Sequence, residues 1–345
     1  MQTPTVDIIV PVWNSLFETR ACLASVLQYS NDARLIVVDN GSSRETELML
    51  EEFSEPIAEH GLFMKSERNL GILTAINMGL ARSDSDFAVI LCPHVQVTAN
   101  WLSGLIQVAQ TENVGIVSPV FRGIGAPVMP DVPPGDEMME TFQTSFSTLL
   151  LRKDMRNQIG NFDEGMDGGE WCLKDYLRRA LKWGFHSCVT SRSRVVCGKE
   201  TVFGSELRRL QQSHISSVTY RERWGGIRHY CVYFGRDALS GSLSSAIETI
   251  LHGARQGHRF TLLLHNSQAS NFRKNGWQKR HTSIEMRRIS LFSSQRDLRK
   301  QFTKLQIAAS DIIPVRGWEG VDFPGVNTAI PFSELAVAIG SSGVA

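Results

Sequence analysis

The first 120 residues alternate two hydrophobic patterns, and this alternation limits the possible folds more than any other feature of the sequence. Four short runs are almost continuously apolar, as expected of strands buried on both faces of a sheet. These runs are VDIIVPV (6–12), RLIVVD (34–39), FAVILC (87–92) and GIVSPV (115–120). The stretches between them (15–30, 43–53, 70–82 and 100–111) are helical in character. Strands that alternate with helices predict a mostly parallel, doubly wound α/β domain with right-handed crossovers.

A second alternating pattern begins near residue 228. Before it lie a Pro- and Gly-rich segment (122–140), predicted as a surface loop, strands at 146–152 and 187–197, and a helix at 171–183. Beyond it, strands are predicted at 229–234, 259–265, 283–292 and 311–318, and helices at 242–256 and 293–309. We therefore expect two domains, 1–228 and a smaller α/β module at 229–345. The module shows no motif of a second catalytic centre, and its role stays open.

Composition excludes several classes of protein. With 42% hydrophobic and 21% charged residues, the chain is neither disordered nor collagen-like nor a coiled coil. The start, MQTPTVDIIVPVW, lacks the basic region of a signal peptide, and no run of about 18 apolar residues predicts a membrane-spanning helix. The six cysteines lack CxxC spacing and lie mostly in apolar segments. We expect reduced thiols in a cytoplasmic protein, with neither disulfides nor a zinc site.

Polar and aromatic residues follow the predicted strands at the place where open α/β sheets bind ligands. They are Pro11, Trp13 and Asn14 after the first strand, Asp39 at the end of the second, Asn69 and Gly71 at a helix start, and His94 after the third strand. An aromatic face, a carboxylate and a helix N-terminus fit a nucleoside diphosphate. Trp13 would cover the base, Asp39 would accept from a base N–H or a ribose hydroxyl, and position 94 would face the diphosphate. The alternatives are core packing for Trp13 and an ordinary turn for Asp-Asn-Gly-Ser.

The order and spacing of these residues resemble the family-2 glycosyltransferases over roughly residues 5–200. The matching segments are DIIVPVWN (7–14), VVDNGSS (37–43), NLGILTAINMGLARSDSDFAVILCPHVQVT (69–98) and IGNFDEGMDGGEW (159–171). The resemblance implies a GT-A fold, with a doubly wound mixed sheet, and adds Asn77 to the donor-binding residues. It also implies inverting hexosyl transfer from a nucleotide-diphosphate sugar to a hydroxyl on a glycan or lipid-linked acceptor, as in surface polysaccharide or glycoconjugate biosynthesis.

Two positions depart from the family pattern. His94 stands where the family has a metal-binding Asp, and Cys197 stands where a His commonly follows the last strand. A carboxylate suits Mg²⁺ or Mn²⁺, whereas imidazole and thiolate do not suit Mg²⁺. A divalent cation near His94 is therefore one expectation among three, beside a site without metal and a site that has lost catalysis. Cys197 is also explained as a small buried hydrophobe, and His94 as a structural histidine.

The resemblance places the catalytic base at a helix start after the GxFDE segment. GGEWCLKDYLRR supplies Glu170 there, with Asp167 as the reserve candidate. The helix dipole favours the ionised form of an acid at this position. Asp175 lies about 140° further round the helix and cannot share the face of Glu170. The alternative is that Glu170 is only an N-terminal helix charge.

The C-terminal part of the chain is basic. Residues 201–304 contain eighteen Lys and Arg against six acids, an excess of twelve positive charges in a chain of net charge +1. This predicts binding to an anionic lipid-linked acceptor or membrane surface, with the protein peripheral on the inner face of the plasma membrane. The alternatives are a solvated face and a basic interface with the acidic N-terminal domain. No nucleic-acid reader motif is present, so nucleic acid is not expected. The segment NFRKNGWQKRH (271–281) is predicted either to expose Trp277 to a membrane or to be a surface loop whose Trp packs locally.

Two rival functions differ in class from a glycosyltransferase. A catalytically altered relative would keep the fold as a nucleotide-sugar-binding or scaffolding protein. A nucleotidyltransferase would carry a Gly-rich loop with Lys or Arg after the first strand, and PVWNSLFETR (11–20) lacks one. The first rival therefore stays open, and the second is disfavoured.

Overall fold

The computed structural model describes residues 3–54, 57, 61–130, 132–133, 135–199, 205–236, 240–290, 294–318 and 320–341. The chain forms two compact units. The first comprises Met1–Met138 and Gln143–Tyr220, and the second comprises Met139–Phe142 and Arg221–Ala345. Among the described residues, no helix has both the length and the apolar character needed to cross a bilayer. All six cysteines are buried as free thiols.

Strands and helices alternate along the chain up to residue 224. The strands are β1 Val6–Val12, β2 Arg34–Asp39, β3 Leu62–Lys65, β4 Phe87–Leu91, β5 Val95–Val97, β6 Val114–Arg122, β7 Met138–Glu140, β8 Thr148–Arg152 and β9 His186–Cys197. The helices are α1 Leu16–Tyr29, α2 Arg44–Glu52, α3 Ile72–Leu80, α4 Trp101–Ala109, α5 Lys153–Ile159, α6 Glu170–Lys182 and α7 Glu206–Trp224. The long helix α7 was not predicted from the sequence.

The sheet of the first unit is mixed. Eight of its strands are neighbours in the order β3-β2-β1-β4-β8-β6-β9-β5. Strands β3, β2, β1 and β4 are parallel to one another, as are β6 and β9. Strand β8 runs antiparallel to β4 and β6, and β5 runs antiparallel to β9. This confirms the mixed doubly wound α/β fold implied by the resemblance and corrects the mostly parallel sheet expected from the alternation alone.

The apolar runs of the sequence are the interior of this sheet. Every residue of β1 and β4 is buried, as is β2 from Leu35 onward. Helices cover both faces of such strands, so neither face needs polar side chains. The buried strands form a rigid frame, and the loops at their carboxyl ends carry the residues predicted to bind a ligand.

A charged pair lies within the otherwise apolar β1. Asp7 is fully buried, and Arg34 donates from Nε and Nη2 to its two carboxylate oxygens, each at 2.8 Å. Burial alone raises the pKa of Asp7, but the hydrogen bonds and the positive charge of Arg34 outweigh it and hold the pKa below its ordinary value. Asp7 therefore stays ionised inside the sheet because Arg34 compensates its charge.

Replacing Arg34 with Met should lower the free energy of unfolding by about 3 kcal/mol at pH 7, because a buried carboxylate loses its partner. The pKa of Asp7 is lower in the folded than in the unfolded protein. The pair therefore stabilises the fold at pH values above the pKa of unfolded Asp7, and this stability is lost as pH falls through the pKa of folded Asp7. The difference between variant and wild type should therefore shrink in acid. Urea denaturation at several pH values measures both. Arg20→Met breaks an exposed pair with Glu52 and should cost at most about 1 kcal/mol; equal losses in the two variants would contradict the assignment.

The second unit is a parallel α/β module, as predicted. Its strands are β10 His229–Tyr233, β11 Arg259–His265, β12 Ile284–Ile289, β13 Ile313–Arg316 and β14 Ile330–Pro331. Its helices are α8 Ser240–Arg255, α9 Asn266–Lys274, α10 Ser294–Ala308 and α11 Phe332–Ser341. The strand order is β12-β11-β10-β13-β14, and all neighbouring pairs are parallel.

Trp277 is not the exposed side chain that one interpretation of segment 271–281 required. The segment contains the end of α9 and a 3₁₀ turn, Trp277–Lys279. Trp277 is half-buried against the core of the second unit, with its ring centroid 5.7 Å from that of Phe272. Arg280 forms an ion pair with Glu248. Of the two predicted alternatives, local packing of Trp277 is the one observed, because the core of the second unit provides the ring with apolar neighbours.

Candidate functional site

A cleft opens beyond the carboxyl ends of β1 and β4. It is lined by Pro11, Val12, Trp13, Ser15, Glu18, Asn40, Asn69, Ile72, Cys92, Pro93 and His94. The structure thus brings together four predicted residues from three separate segments, namely Pro11, Trp13, Asn69 and His94. Their position matches the general rule for ligand sites in open α/β sheets.

The turn from β1 into α1 depends on Asn14. Asn14 and Ser15 both have left-handed backbone conformations, with φ of 56° and 54°, and asparagine tolerates this region better than most residues. The Asn14 N–H donates to Ser42 Oγ at 2.9 Å, and the Ser43 N–H donates to Asn14 Oδ1 at 2.7 Å. Asn14 therefore ties the loop after β1 to the loop after β2 and orients the half-buried Trp13 beside it.

Asp39 ends β2 with a buried carboxylate. Its Oδ1 accepts the Ser42 N–H at 3.0 Å. Its Oδ2 is buried and has no hydrogen-bond partner among the described residues. Buried polar atoms are nearly always paired, so an orphaned carboxylate oxygen needs an explanation. The next residue, Asn40, lines the cleft, and a bound donor group reaching Oδ2 would supply the missing hydrogen bond.

Asn40 organises the start of α3, and sequence reasoning did not single it out. Its Nδ2 donates to Asn69 Oδ1 at 3.0 Å and to Gly71 O at 3.1 Å, while its Oδ1 accepts the Leu70 N–H at 2.9 Å. Asn69 Oδ1 also accepts the Gly71 N–H at 2.8 Å. Asn69 and Gly71 are thus held by the loop after β2. In the sequence Asn40 has the pattern of an ordinary turn residue, and its partners lie about thirty positions away.

Asn77 contacts the segment that precedes Asp167 and Glu170, and it does not line the cleft. It is buried in α3, where its Nδ2 donates to Phe162 O at 2.9 Å and to Glu164 Oε1 at 2.8 Å. Its Oδ1 accepts the Phe162 N–H at 3.1 Å. The structure therefore places this predicted donor-binding residue against the GNFDE segment, outside the cleft lining. There it positions the chain that leads to Asp167 and Glu170.

His94 lies at the inner end of the cleft. It is 9% exposed, and its Nε2 is 3.1 Å from Ser147 Oγ. Its backbone oxygen accepts the Gly198 N–H at 2.7 Å, and the neighbouring Val95 pairs with Cys197 across β5 and β9. Positions 94 and 197 are therefore close in space. Burial raises the pKa of the Cys197 thiol to about 11, so it stays protonated at neutral pH.

The residues around His94 do not fit a hard divalent cation. Mg²⁺ and Mn²⁺ prefer carboxylate, carbonyl and water oxygens. Position 94 offers an imidazole that already contacts Ser147, and position 197 offers a protonated thiol. Over the part of the chain that the structure describes, no group of three or more His, Cys, Asp or Glu side chains is arranged to hold a metal. We therefore derive no step of the chemistry through a metal.

Asp167 and Glu170 lie beside the start of α6. Asp167 Oδ1 accepts the Cys172 N–H at 3.0 Å, which satisfies a donor of the first helical turn. Burial raises the pKa of Asp167 above its ordinary value, although backbone N–H groups partly offset the effect. The Glu170 side chain is 65% exposed and forms an ion pair with Lys174. The Glu170 side chain is therefore more exposed to solvent than the half-buried side chain of Asp167.

The segment that carries these acids borders the cleft. A Cβ added at Gly168 would come within 2.4 Å of Ile72 Cγ2, and Ile72 lines the cleft. Asp175, in contrast, is buried and accepts from Arg179 Nε at 2.9 Å. Asp175 is thus part of the packing of α6. Asp167 and Glu170 are not among the residues that line the cleft, but the segment that carries them lies against Ile72 at Gly168.

Sequence reasoning missed one carboxylate of the cleft. Glu18 lies in the first turn of α1 and lines the cleft with Ser15. In the sequence it has the pattern of an ordinary N-terminal helix acid, which is common on dipole grounds alone. Glu18 differs from such an ordinary helix acid only because the turn at Asn14 directs the start of α1 toward the cleft.

Comparison with known proteins agrees with this geometry. Residues 7–165 match the family described as glycosyl transferase family 2. The crystal structure of GalNAc-T7 with UDP, GalNAc and Mn²⁺ is similar with a TM-score of 0.53 and 16% identity, covering 64% of this chain and 49% of that one. S. aureus TarS 1–349 in complex with UDP-GlcNAc is similar with a TM-score of 0.50 and 15% identity, covering 62% and 66%. No curated protein shows a significant sequence match.

The match therefore spans between about half and two thirds of these solved chains. At such identities the structural likeness concerns the fold, while the family match concerns the segments that build the cleft. The structural likeness agrees with the mixed sheet of the first unit. The first unit has a GT-A glycosyltransferase fold, and residues 7–165 of the chain match glycosyl transferase family 2.

Proposed function

We propose that this chain is an inverting hexosyltransferase that moves a sugar from a nucleotide-diphosphate sugar to an acceptor hydroxyl. The observation that carries the proposal is the buried Asp39 Oδ2, which has no hydrogen-bond partner among the described residues and whose neighbour Asn40 lines the cleft. A base N–H or ribose hydroxyl of the donor would supply the missing hydrogen bond. Trp13 would cover the base, and His94 would face the diphosphate.

Glu170 is the proposed general base. It takes the proton of the acceptor hydroxyl while the hydroxyl oxygen attacks the anomeric carbon from the side opposite the diphosphate. The bond from that carbon to the diphosphate oxygen breaks, and the nucleoside diphosphate leaves with the bonding electrons. The Glu170 carboxylate forms an ion pair with the Lys174 ammonium one helical turn further on. Asp167 is the reserve candidate for the same role.

The acceptor is proposed to be a glycan or a lipid-linked sugar, used on the cytoplasmic side of an anionic membrane in surface polysaccharide or glycoconjugate biosynthesis. The support is electrostatic, since residues 201–304 carry an excess of twelve positive charges. Such a field attracts phosphate-bearing acceptors and anionic lipid surfaces alike.

A second candidate function is nucleotide-sugar binding without turnover. The observation in its favour is the pair His94 and Cys197, which stand where the family pattern has a metal-binding Asp and, commonly, a His. This protein would keep the Asp39 and Trp13 contacts to the nucleotide and lack sugar transfer.

A thermal-shift screen tests the proposed function directly. Sugars of UDP, GDP, dTDP and CMP are added to the full chain with Mn²⁺ and, separately, with EDTA, because a ligand that binds the native state raises the Tm. A shift with one nucleotide class supports the proposal, and release of nucleoside diphosphate with a glycan acceptor then separates transfer from mere binding. Absence of any shift would remove both candidate functions.

Changing His94 to Asp should make donor binding depend on a metal. The new carboxylate is a hard oxygen ligand, so we expect UDP or GDP to bind the variant about tenfold more tightly with Mn²⁺ than with EDTA, a difference of about 1.4 kcal/mol. Isothermal titration measures the affinities, and wild type should show a smaller difference. His214→Asp introduces the same side chain at an exposed position of α7 and serves as the control. Coinciding metal titrations of wild type and H94D would show that position 94 does not face the diphosphate.

A further inference from the structure

Helix α7 exposes a row of large apolar side chains. The exposed fractions are 64% for Leu207, 61% for Leu210, 56% for Ile215 and 39% for Val218. At 3.6 residues per turn, these four side chains fall within an arc of about 140°. Single exposed apolar residues are normal on protein surfaces, whereas several on one side of a helix are typical of an interaction site. We call this set the α7 stripe.

The packing of α7 fixes the direction of the α7 stripe. Ser216 and Tyr220 are buried on the opposite side of the helix. Ser216 Oγ accepts the Asp167 N–H at 2.8 Å, and the Tyr220 ring centroid lies 5.4 Å from that of Trp171. The helix cannot turn its apolar side inward without losing these contacts. The α7 stripe is therefore presented outward by the fold itself.

The charges on α7 are complementary to an anionic surface. The helix contains four Arg and two Glu. Arg208 and Arg221 are exposed and lie near the two edges of the α7 stripe, and Glu222 lies between them. Arg side chains can extend along apolar surface while the guanidinium stays in a polar layer. An apolar stripe bordered by Arg is typical of helices that lie in the plane of a membrane interface.

A second copy of the chain is a poorer occupant. A two-fold interface would place the same surface of each copy against the other, so Arg208 and Arg221 would face a second basic helix. Like charges at such an interface repel. The excess of twelve positive charges in residues 201–304 adds to this repulsion and favours an anionic partner.

We propose that α7 docks this protein on an anionic lipid bilayer, with the α7 stripe in the headgroup region and the Arg side chains at lipid phosphates. This surface lies outside the donor cleft. Because Asp167 contacts α7 through Ser216, docking places the segment of the general base next to the membrane. That last consequence rests on the proposed function with a lipid-linked acceptor, whereas the docking itself does not.

Flotation of the full chain with lipid vesicles tests the docking. Wild type should float with phosphatidylcholine vesicles that contain about one third phosphatidylserine, and not with phosphatidylcholine alone. Binding should fall about tenfold or more at 1 M salt, where the Debye length is about 3 Å. The variant Leu207→Gln/Leu210→Gln/Val218→Gln keeps strong helix formers and should lose about nine tenths of the bound fraction. Arg208→Gln/Arg221→Gln should lose a similar share. Ile307→Gln removes an apolar side chain that is 81% exposed on α10 and should float as wild type does.

The outcomes separate the possible occupants. Wild type that stays unbound with anionic vesicles, or equal flotation of the triple variant and wild type, overturns the proposal. Size-exclusion chromatography identifies a second copy as the occupant if wild type is a dimer that the triple variant dissociates, and that result also overturns it. Circular dichroism and an unchanged Tm show that the triple variant is folded. Flotation without any nucleotide-induced thermal shift would retain the docking surface and reject the proposed transfer reaction.

Discussion

Replacing Glu170 with Gln should lower the turnover of sugar transfer by about a hundredfold or more while donor affinity stays near that of wild type. Gln keeps the size and the helix propensity of the side chain and removes only its capacity to take a proton. The side chain is exposed, so the variant should unfold at the wild-type temperature. Steady-state rates of nucleoside diphosphate release, together with titration of the donor, measure the two effects separately.

Two comparisons make this result specific. Glu206→Gln removes an exposed acid from the first turn of another helix and should leave the rate unchanged. Asp167→Asn tests the reserve candidate. Burial raises the pKa of Asp167. If Asp167 is the base, the activity of the wild type should therefore fall as pH drops through a value above the ordinary Asp range. Unchanged turnover in E170Q would remove Glu170 from the mechanism.

Replacing Asp39 with Asn should weaken binding of the nucleotide about ten- to a hundredfold, or about 1.5–3 kcal/mol. Asn retains an oxygen that can accept the Ser42 N–H, as Asp39 Oδ1 does at 3.0 Å. Its amide nitrogen, however, replaces the orphaned acceptor Oδ2 with a donor, which would oppose a donor group of the ligand. Isothermal titration with UDP and GDP measures the loss.

The control for this variant is Asp32→Asn, which makes the same change at an exposed position. It should bind nucleotides as wild type does. Affinity in D39N within twofold of wild type would show that Asp39 Oδ2 does not contact the donor, and the assignment of the nucleotide site would lose its main support.

The sequence by itself determined the elements whose patterns are local. Strands β1, β2 and β4 match their predicted limits within one residue, because strands buried on both faces need continuous apolar runs. The order of the strand-end residues also carried the family resemblance, since a parallel sheet places the carboxyl ends of its strands at one edge. The cleft that joins Trp13 and His94 follows from this edge.

Other features became visible only in the tertiary structure, because they depend on which distant segments meet. Nothing in the composition of β8 shows that it inserts antiparallel between β4 and β6. Asn40 has the pattern of a turn residue until its amide is seen to hold the start of α3. The sequence left two alternatives open for Trp277, and only the folded core of the second unit, which provides its apolar neighbours, decides for local packing. The α7 stripe was missed because its spacing is that of a helix that packs by its apolar side. Only the burial of Ser216 and Tyr220 shows that the opposite side of α7 is the packed one.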